Sequence, residues 1–148
     1  MNSASESQTI IREKMNYKNL LQSRDLKATS KRIEILEMIA KYGSAMPYSE
    51  LQKSLENFDR VTLYRNINTL MDSGIIHKAS TRGQETYYAI CSHQCTSKYH
   101  NHQHIHFKCM NCMEVSCLQI DSQVSIQIPN VQIQNIEIEA SGICENCQ

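Results

Sequence analysis

The sequence has few of the residues that fill large cores or interrupt regular structure, with no tryptophan, two phenylalanines, four glycines and two prolines in 148 residues. No apolar run approaches the length of about 20 residues that a membrane-spanning helix needs. The first residues lack a basic start followed by an apolar core, so we expect no secretory signal. The formal net charge is zero, which excludes a strongly basic or acidic protein. These absences predict a soluble, cytoplasmic protein of one ordinary domain or two small ones.

The two halves of the chain differ in charge and in metal-binding residue types. Residues 1–80 carry twelve lysines and arginines against nine acidic residues, a balance of +3, and residues 81–148 carry three against six, a balance of −3. All seven cysteines and every histidine except His77 follow residue 80. In a reducing compartment, cysteines more often bind metals or act in redox chemistry than form structural disulfides. The split predicts two domains, of which the basic one is a candidate for binding nucleic acid.

Helix and strand signals in the first half follow the order of a winged helix. Residues 1–15 are polar without periodicity, and we expect a flexible start. The predicted elements that follow are helices at about 16–23, 29–43, 47–55 and 60–73 and strands at 75–78 and 86–90. Further along the chain, a strand is predicted around Val115, a short helix at 120–128 and strand-like alternation at 131–138 with a bulge or turn near Asn135. Thr29 and Asp59 suit helix N-caps, and Gly43 and Gly74 suit helix ends. Helices followed by a hairpin form the winged helix, a helix-turn-helix variant whose third helix enters the major groove.

The last of these predicted helices has one apolar and one polar face. The residues expected to pack inward are Leu63, Ile67, Leu70 and Met71. The residues expected on the outer face are Arg60, Thr62, Arg65, Asn66 and Thr69. Guanidinium and amide groups suit phosphates and base edges, although most such faces only meet water. From the pattern alone, DNA binding and a solvated face both stay open.

Two Cys-x-x-Cys pairs, Cys109 with Cys112 and Cys144 with Cys147, stand in the last third of the chain. Four thiolates complete a tetrahedron around zinc and leave no open position, so such a site stabilises a fold. A small domain with few large apolar side chains commonly needs a metal of this kind. The alternative is a redox disulfide, but that chemistry uses one pair in a thioredoxin-like pattern. The spacing therefore predicts a structural zinc site.

Three histidines at every second position precede the first cysteine pair, and they are His102, His104 and His106. Alternation with period two places them on one face of a strand. With His77, Cys91 and Cys117 they offer soft donors from both predicted domains, a combination that favours zinc over iron or manganese. Such a site would let metal occupancy set the relative orientation of the domains. The alternatives are an ordinary polar role for His77 and a surface strand for the ladder.

Four segments resemble the ferric uptake regulator superfamily of bacterial metal-dependent repressors: LKATSKRIEIL (26–36), RVTLYRNINTLMDSGII (60–76), HIHFKCMNC (104–112) and the terminal CENC. The resemblance runs from about residue 17 to the end. It implies an α+β chain, with an N-terminal winged helix-turn-helix DNA-binding domain and a small C-terminal α/β dimerisation domain with structural zinc. Dimers of this family bind palindromic operators when the regulatory metal is present. The implied division is a flexible N-terminus (1–15), winged helix (16–90), connector (91–101) and zinc-binding dimerisation domain (102–148).

The resemblance also implies roles for individual residues. Tyr64 and Arg65 match the family's DNA-contacting pair, and SGIIHKAST resembles the zinc-uptake branch. The predicted regulatory ligands are His77, Cys91, His104, His106 and Cys117, with His102 as a further candidate. The predicted DNA-binding residues are Tyr64, Arg65, Arg60, Thr62, Lys27 and Arg32, with Lys31 as a further phosphate contact.

Three positions depart from the family pattern. Cys117 stands where Glu or Asp is usual, and Ala45 and Ala89 stand where the iron and peroxide branches have a histidine and an acidic residue. All three changes replace hard donors or move the site towards soft ones, which favours zinc. A further cluster, His93, Cys95 and His100, is a candidate third site.

We therefore expect a homodimeric, zinc-responsive transcriptional repressor that is not an enzyme. Within the same superfamily, a regulator sensing iron, manganese, peroxide or thiol oxidation stays open. From another class, the alternative is a zinc-storage or thiol-redox protein. A hydrolytic zinc enzyme is disfavoured, because it needs an open metal position and a nearby carboxylate base, and Glu114 is the only acid inside the histidine–cysteine motif.

Overall fold

The structure is a computed structural model, and it describes residues 16–80, 83–91, 104–120, 125–133 and 136–148. Within these ranges, no helix is long and apolar enough to cross a membrane. The predicted flexible start, 1–15, lies outside the described residues, as does the predicted connector after Cys91.

Four helices form the first part of the chain: α1 (Tyr17–Ser23), α2 (Ser30–Tyr42), α3 (Tyr48–Ser54) and α4 (Arg60–Asp72). The side chains of Asn16, Thr29 and Asp59 accept hydrogen bonds from backbone N–H groups in the first turns of α1, α2 and α4. These caps satisfy donors that a helix start leaves without intrahelical partners. Gly43 ends α2 with a φ of 87°, a left-handed conformation that glycine adopts at little cost. The predicted helices and caps are confirmed.

A three-stranded antiparallel sheet follows the helices in the order β1–β3–β2. Its strands are β1 (Met46–Pro47), β2 (Ile76–Ser80) and β3 (Tyr87–Ile90). His77 pairs with Ala89, and the register shifts by one residue between Lys78 and Ser80. The shift marks a β-bulge at Ala79. The predicted hairpin is confirmed as the wing of a winged helix.

A second three-stranded sheet forms the C-terminal part in the order β5–β4–β6. Its strands are β4 (His104–Cys109), β5 (Val115–Gln119) and β6 (Glu139–Gly142). β4 pairs antiparallel with β5 and parallel with β6, so His106 lies between Cys117 and Glu139. A 3-10 turn at Glu145–Cys147 ends the described chain.

The main apolar core lies between the helices and the wing. Its fully buried members include Leu21, Ile35, Leu36, Leu51, Leu55, Leu63, Ile67, Leu70, Ile75 and Ile76. Leu63, Ile67 and Leu70 recur at helical spacing on α4 and are buried as predicted. Because these residues occupy the inner face of α4, its opposite face is presented outwards.

A smaller cluster, called the junction here, joins the wing to the C-terminal sheet. Its buried members are Ala45, Ala79, Tyr87, Ala89 and Val115, with Cys117 packed against them. On each strand these residues alternate with others that face away, because successive side chains of a strand point to opposite faces. The junction therefore brings one face of the wing against one face of the second sheet.

Polar contacts also cross the junction. The backbone N–H of Ala45 donates to the carbonyl of Val115 at 2.8 Å, and Ser80 Oγ donates to Glu139 Oε1 at 2.8 Å. The Lys108 ammonium lies 5.5 Å from the Tyr87 ring centroid, within the range of a cation–π contact. These contacts fix the position of the wing relative to β4, β5 and β6.

Two expectations for the C-terminal part were wrong in the described residues. A short helix was expected at 120–128, but Ile120 and residues 125–128 are not helical. The apolar residues there recur at every second position, a strand-like period that offers no helical face. Strand structure was expected at 131–138, but β6 begins at Glu139, where the chain pairs with β4.

Replacing Ile67 by alanine is expected to lower the free energy of unfolding by about 2–5 kcal/mol, because removing a fully buried side chain leaves a cavity. The measurement is a denaturant melt at fixed zinc concentration. Val61→Ala is the matched control on α4, since Val61 is 58% exposed, and it should change stability by less than about 0.5 kcal/mol. Equal losses in both variants would contradict the assigned orientation of α4.

Candidate metal centres

Strands from both sheets contribute histidine and cysteine to the junction. His77 on β2 is buried, and Ala79, two residues further along the strand, belongs to the junction. His106 on β4 and Cys117 on β5 pair directly across their ladder. The wing and the C-terminal sheet thus each supply ligands to one place, although His77 is 40 residues from Cys117.

The three side chains form a compact group, called the junction site here. His77 Nε2 lies 3.1 Å from His106 Nε2 and 3.6 Å from Cys117 Sγ. The ligand atoms of all three lie within 4.8 Å of one another. With zinc–nitrogen bonds of about 2.0–2.1 Å and zinc–sulfur bonds of about 2.3 Å, a tetrahedron separates two nitrogens by roughly 3.3 Å and nitrogen from sulfur by roughly 3.6 Å. The junction site fits a tetrahedral metal ion.

The surroundings of His106 keep its ring neutral. Burial lowers the pKa of His106, and the nearby Glu137 and Glu139 carboxylates act in the opposite direction and only partly offset it. An imidazole binds a metal through the lone pair of a neutral ring. A lowered pKa therefore leaves His106 ready to bind a metal at neutral pH.

Cys91 directly follows β3 and is buried. Its Sγ lies 3.3 Å from Nδ1 of His77, whereas His106 and Cys117 approach Nε2. Among the described residues, the group around His77 whose ligand atoms lie mutually within 4.8 Å comprises His77, His106 and Cys117. Cys91 therefore lies beside Nδ1 of His77, whereas His106 and Cys117 lie beside Nε2.

For the remaining predicted metal ligands of the second site and the third site, the structure describes no side chain. His102 and the candidate third site, His93, Cys95 and His100, lie outside the described residues altogether. His104 begins β4, but its side chain is not among the described ones. For these five residues the ligand roles stay predictions.

The four cysteines of the two Cys-x-x-Cys pairs meet at the other end of β4. Sulfur atoms of Cys109, Cys112, Cys144 and Cys147 all lie within 4.8 Å of one another. The Sγ atoms of Cys112 and Cys144 are 3.8 Å apart, which matches the roughly 3.8 Å between two sulfurs of a tetrahedral zinc site. The predicted pairing of the two knuckles into one four-sulfur cluster agrees with this geometry.

Backbone donors converge on the buried member of this cluster. The N–H groups of Asn111 and Cys144 each lie 3.4 Å from Cys109 Sγ. Backbone hydrogen bonds from Cys144 first, then from Cys112 and Asn111, lower the pKa of Cys109 to about 6. The neighbouring Cys147 thiol raises the pKa of Cys144 to about 12. Because a metal binds thiolates, filling the cluster releases protons and grows more favourable as pH rises.

The outer face of α4 presents the residues predicted to contact DNA. Tyr64 is 58% exposed, and Arg60 and Arg65 are also exposed. Thr62 is instead engaged in the helix cap, since its N–H donates to Asp59 Oδ1 at 2.8 Å and its hydroxyl donates to Oδ2. The exposed Val61 adds an apolar side chain to this face, which the sequence analysis did not single out.

Two predicted phosphate contacts lie at the start of α2. Arg32 Nη1 donates to the backbone carbonyl of Lys27 at 2.9 Å. Lys31 Nζ lies 5.1 Å from the Phe58 ring centroid. Both cations therefore make contacts within the protein, and their predicted role at DNA stays a prediction.

Sequence reasoning also missed Ser80 and Glu139, which link β2 to β6 beside the junction site. They are 59 residues apart, and neither belongs to a motif. The feature that points to this contact is the bulge in β2 next to Ser80. It is visible only in the register of the folded sheet, and so the sequence alone does not reveal it.

Comparisons with known proteins agree with this fold. The model of the ferric uptake regulator family matches residues 23–143. The ferric uptake regulation protein of Staphylococcus epidermidis is 31% identical over 137 residues, covering 87% of this chain and 91% of that protein. The Staphylococcus aureus protein of the same name is 29% identical over 136 residues, covering 87% of this chain and 93% of that protein.

Solved structures share the architecture at lower identity. The Vibrio cholerae ferric uptake regulator has a TM-score of 0.61 at 23% identity, covering 87% of this chain and all of that one. Holo XcZur has a TM-score of 0.62 at 20% identity, covering 97% of this chain and 98% of that chain. A zinc uptake regulator solved with zinc and DNA has a TM-score of 0.60 at 16% identity, covering 98% of this chain and 95% of that chain. These similarities confirm the α+β winged-helix fold.

The family match spans the winged helix from the end of α1, the junction site and the first two cysteines of the four-sulfur cluster, Cys109 and Cys112. The chain belongs to the ferric uptake regulator family.

Proposed function

We propose that this protein is a zinc-responsive transcriptional repressor that binds palindromic operator DNA as a homodimer. The observation that carries the proposal is the junction site, whose ligands come from the wing and from the C-terminal sheet. An ion held there adds a bond network between two parts of the chain that otherwise meet through a small apolar cluster and a few polar contacts. Metal occupancy then favours one orientation of the winged helix, as a regulatory ligand requires.

The donors around the junction favour zinc over iron or manganese. His106 and Cys117 offer an imidazole and a thiolate, and Ala45 and Ala89 lie buried in the junction where the iron and peroxide branches have a histidine and an acidic residue. Two methyl groups thus occupy positions from which hard or nitrogen donors would reach the site. A thiolate with imidazoles is the ligand set of a zinc site more than of an iron or manganese site.

The four-sulfur cluster is proposed to hold a second, structural zinc. It connects the turn after β4 to the end of the chain, and four thiolates leave no position for an exchanging ligand. The C-terminal sheet has few large buried side chains of its own, Val115 being the one that is fully buried among its described residues. Zinc binding is therefore expected to supply much of this sheet's stability.

The outward face of α4 is proposed to read the operator. Arg65 carries five N–H donors that suit guanine or phosphate, and the Tyr64 ring is exposed beside it. In a dimer, two such helices would enter successive major grooves, with half-sites about one turn of DNA apart.

Exposed apolar residues in the C-terminal part support dimerisation there. They are Leu118, Ile126, Ile128, Val131 and Ile143, each 46–58% exposed. Ile126, Ile128 and Val131 line one open groove. Apolar residues grouped on a surface in this way commonly mark a protein–protein interface, and a second copy of this chain is the proposed occupant.

Metal analysis with DNA binding tests the two-site proposal. Two zinc ions per chain are expected, one for each cluster, and mild chelation should remove the junction ion first because that site is not closed by four thiolates. Operator binding should fall as zinc falls from two to one per chain and return when zinc is added. A chain that holds one zinc, with DNA binding indifferent to added zinc, would contradict a regulatory junction site.

Replacing Arg65 by alanine tests the DNA-binding face. We expect operator binding to weaken by about 1–3 kcal/mol, because a side chain that contacts a base or phosphate is lost. Titration of labelled operator at saturating zinc is the measurement. Zinc content should stay at the wild-type value, since Arg65 is on the outer face of α4 away from both clusters.

Lys53→Ala is the matched control for Arg65→Ala. It also removes one positive charge, but Lys53 lies on α3 and pairs with Glu50 at 2.8 Å. Operator affinity should be unchanged in this variant. Equal weakening by the two substitutions would mean that net charge, and not the face of α4, governs binding.

A further inference from the structure

The exposed side chains of α4 are concentrated in the first half of the helix. Those in its first six positions are Arg60, Val61, Tyr64 and Arg65. Val61 precedes Tyr64 by three positions and Arg65 by four, and this spacing places the three side chains on one face of the helix. Val61 and Tyr64 are each 58% exposed, so apolar groups and guanidinium groups lie side by side near the helix start.

Other polar side chains of the outer face donate hydrogen bonds within the helix. Thr62 is engaged with Asp59 at the cap. Asn66 Nδ2 donates to the carbonyl of Thr62 at 2.8 Å, and Thr69 Oγ1 donates to the carbonyl of Arg65 at 2.9 Å. Thr62, Asn66 and Thr69 are also partly buried. The first half of α4 therefore presents two arginines, a tyrosine and a valine to a ligand.

Exposed apolar side chains are few in the winged helix. Among its described residues, the large apolar side chains that are strongly exposed are Tyr42, Val61 and Tyr64. Two of these three lie on the face proposed to read DNA. An apolar side chain among arginines on this face has a specific complement in DNA, because the C5-methyl group of thymine is the apolar group that bases present in the major groove.

We infer that Val61 is a specificity-determining residue of the proposed operator interface, where its methyl groups contact the C5-methyl group of a thymine in the major groove. The inference rests on the proposed DNA-binding function and refines it, because it names a base that one side chain of α4 selects. Arg65 and Val61 then read the same half-site by different means, the first by hydrogen bonds and the second by apolar contact.

The local structure around Val61 suits a defined contact. Asp59 accepts a hydrogen bond from the N–H of Thr62 at 2.8 Å, and this cap fixes the turn in which Val61 lies. A valine in a helix keeps almost exclusively one χ1 rotamer. Its two methyl groups are therefore held in one direction and lose little conformational entropy on binding.

The contacted thymine is expected close to the base that Arg65 reads. Val61 and Arg65 are about one helical turn apart, and one turn rises about 5.4 Å. Successive base pairs are about 3.4 Å apart. The two contacted base pairs should therefore lie within about two positions of each other in each half-site.

Replacing thymine by deoxyuridine tests the contact, because it removes the C5-methyl group and leaves the hydrogen-bonding groups of the base unchanged. Operators are first selected from random duplex DNA with the zinc-loaded wild-type protein. Each thymine of the selected sequence is then replaced in turn, in one half-site and in both. Affinities are measured for wild type, for Val61→Ala and for Arg60→Ala, a control at the adjacent exposed position.

At one thymine position, wild type should bind the deoxyuridine operator about fourfold more weakly per half-site, the effect of one methyl group removed from an apolar contact. Val61→Ala should show a loss of less than about twofold at that position, because most of the apolar partner is gone. The losses at other thymines should persist in this variant. Arg60→Ala should bind all operators more weakly and keep the full loss at every position, since it removes a charge and no methyl contact.

Selection repeated with Val61→Ala gives a second readout. The preference for thymine at the identified position should weaken, and the preferences at the remaining positions should be retained. A denaturant melt of Val61→Ala with wild-type stability, as expected for an exposed side chain, excludes misfolding as the cause of any change in binding.

Equal deoxyuridine losses in wild type and Val61→Ala at every thymine would overturn the inference, because Val61 would then contact no methyl group. A wild-type protein that shows no loss at any thymine would overturn it as well. Failure of the zinc-loaded wild type to select any operator would instead refute the proposed DNA-binding function. That outcome is distinct, because it appears before any variant or modified operator is compared.

Discussion

The proposed regulation depends on one buried imidazole, that of His77, at the junction between the wing and the C-terminal sheet. The apolar part of the junction consists of three alanines, a valine and a tyrosine, and burying apolar surface stabilises by about 25 cal/mol per Å². Hydrogen bonds such as that of Ser80 to Glu139 contribute modestly once the lost contacts with water are counted. An ion bound by His77, His106 and Cys117 would therefore rank among the largest single contributions.

Strand β4 connects the two candidate metal centres. It carries His106 at the junction site and ends at Cys109 in the four-sulfur cluster, three residues later. A closed thiolate site restrains the turn that follows β4 and the chain end that pairs beside it through β6. The ligand at the junction is thus positioned by a strand that the other cluster anchors. If the proposed roles hold, a permanent site would prepare an exchangeable one, and loss of the first would disturb both.

The proposed preference for zinc rests on what surrounds the candidate ligands as well as on the ligands themselves. Ala45 and Ala89 sit in the junction beside Cys117, so the space there is filled by methyl groups and a sulfur. The second nitrogen of His77 faces another sulfur, that of Cys91. Methyl groups and sulfur atoms therefore lie on one side of the junction site, and the Glu137 and Glu139 carboxylates lie near His106.

The sequence by itself determined most of the local elements and the two groups of candidate metal-binding residues. Caps at Thr29 and Asp59, helical periodicity in α4 and the Cys-x-x-Cys spacing act over a few residues, so they can be read without the fold. Only the tertiary structure decided which side of His77 faces Cys117 and which faces Cys91, and that Ser80 meets Glu139. Those contacts join residues 14 to 59 positions apart, and they depend on a bulge in β2 and on how two sheets pack. Register and packing are properties of the folded chain, which local sequence patterns do not encode.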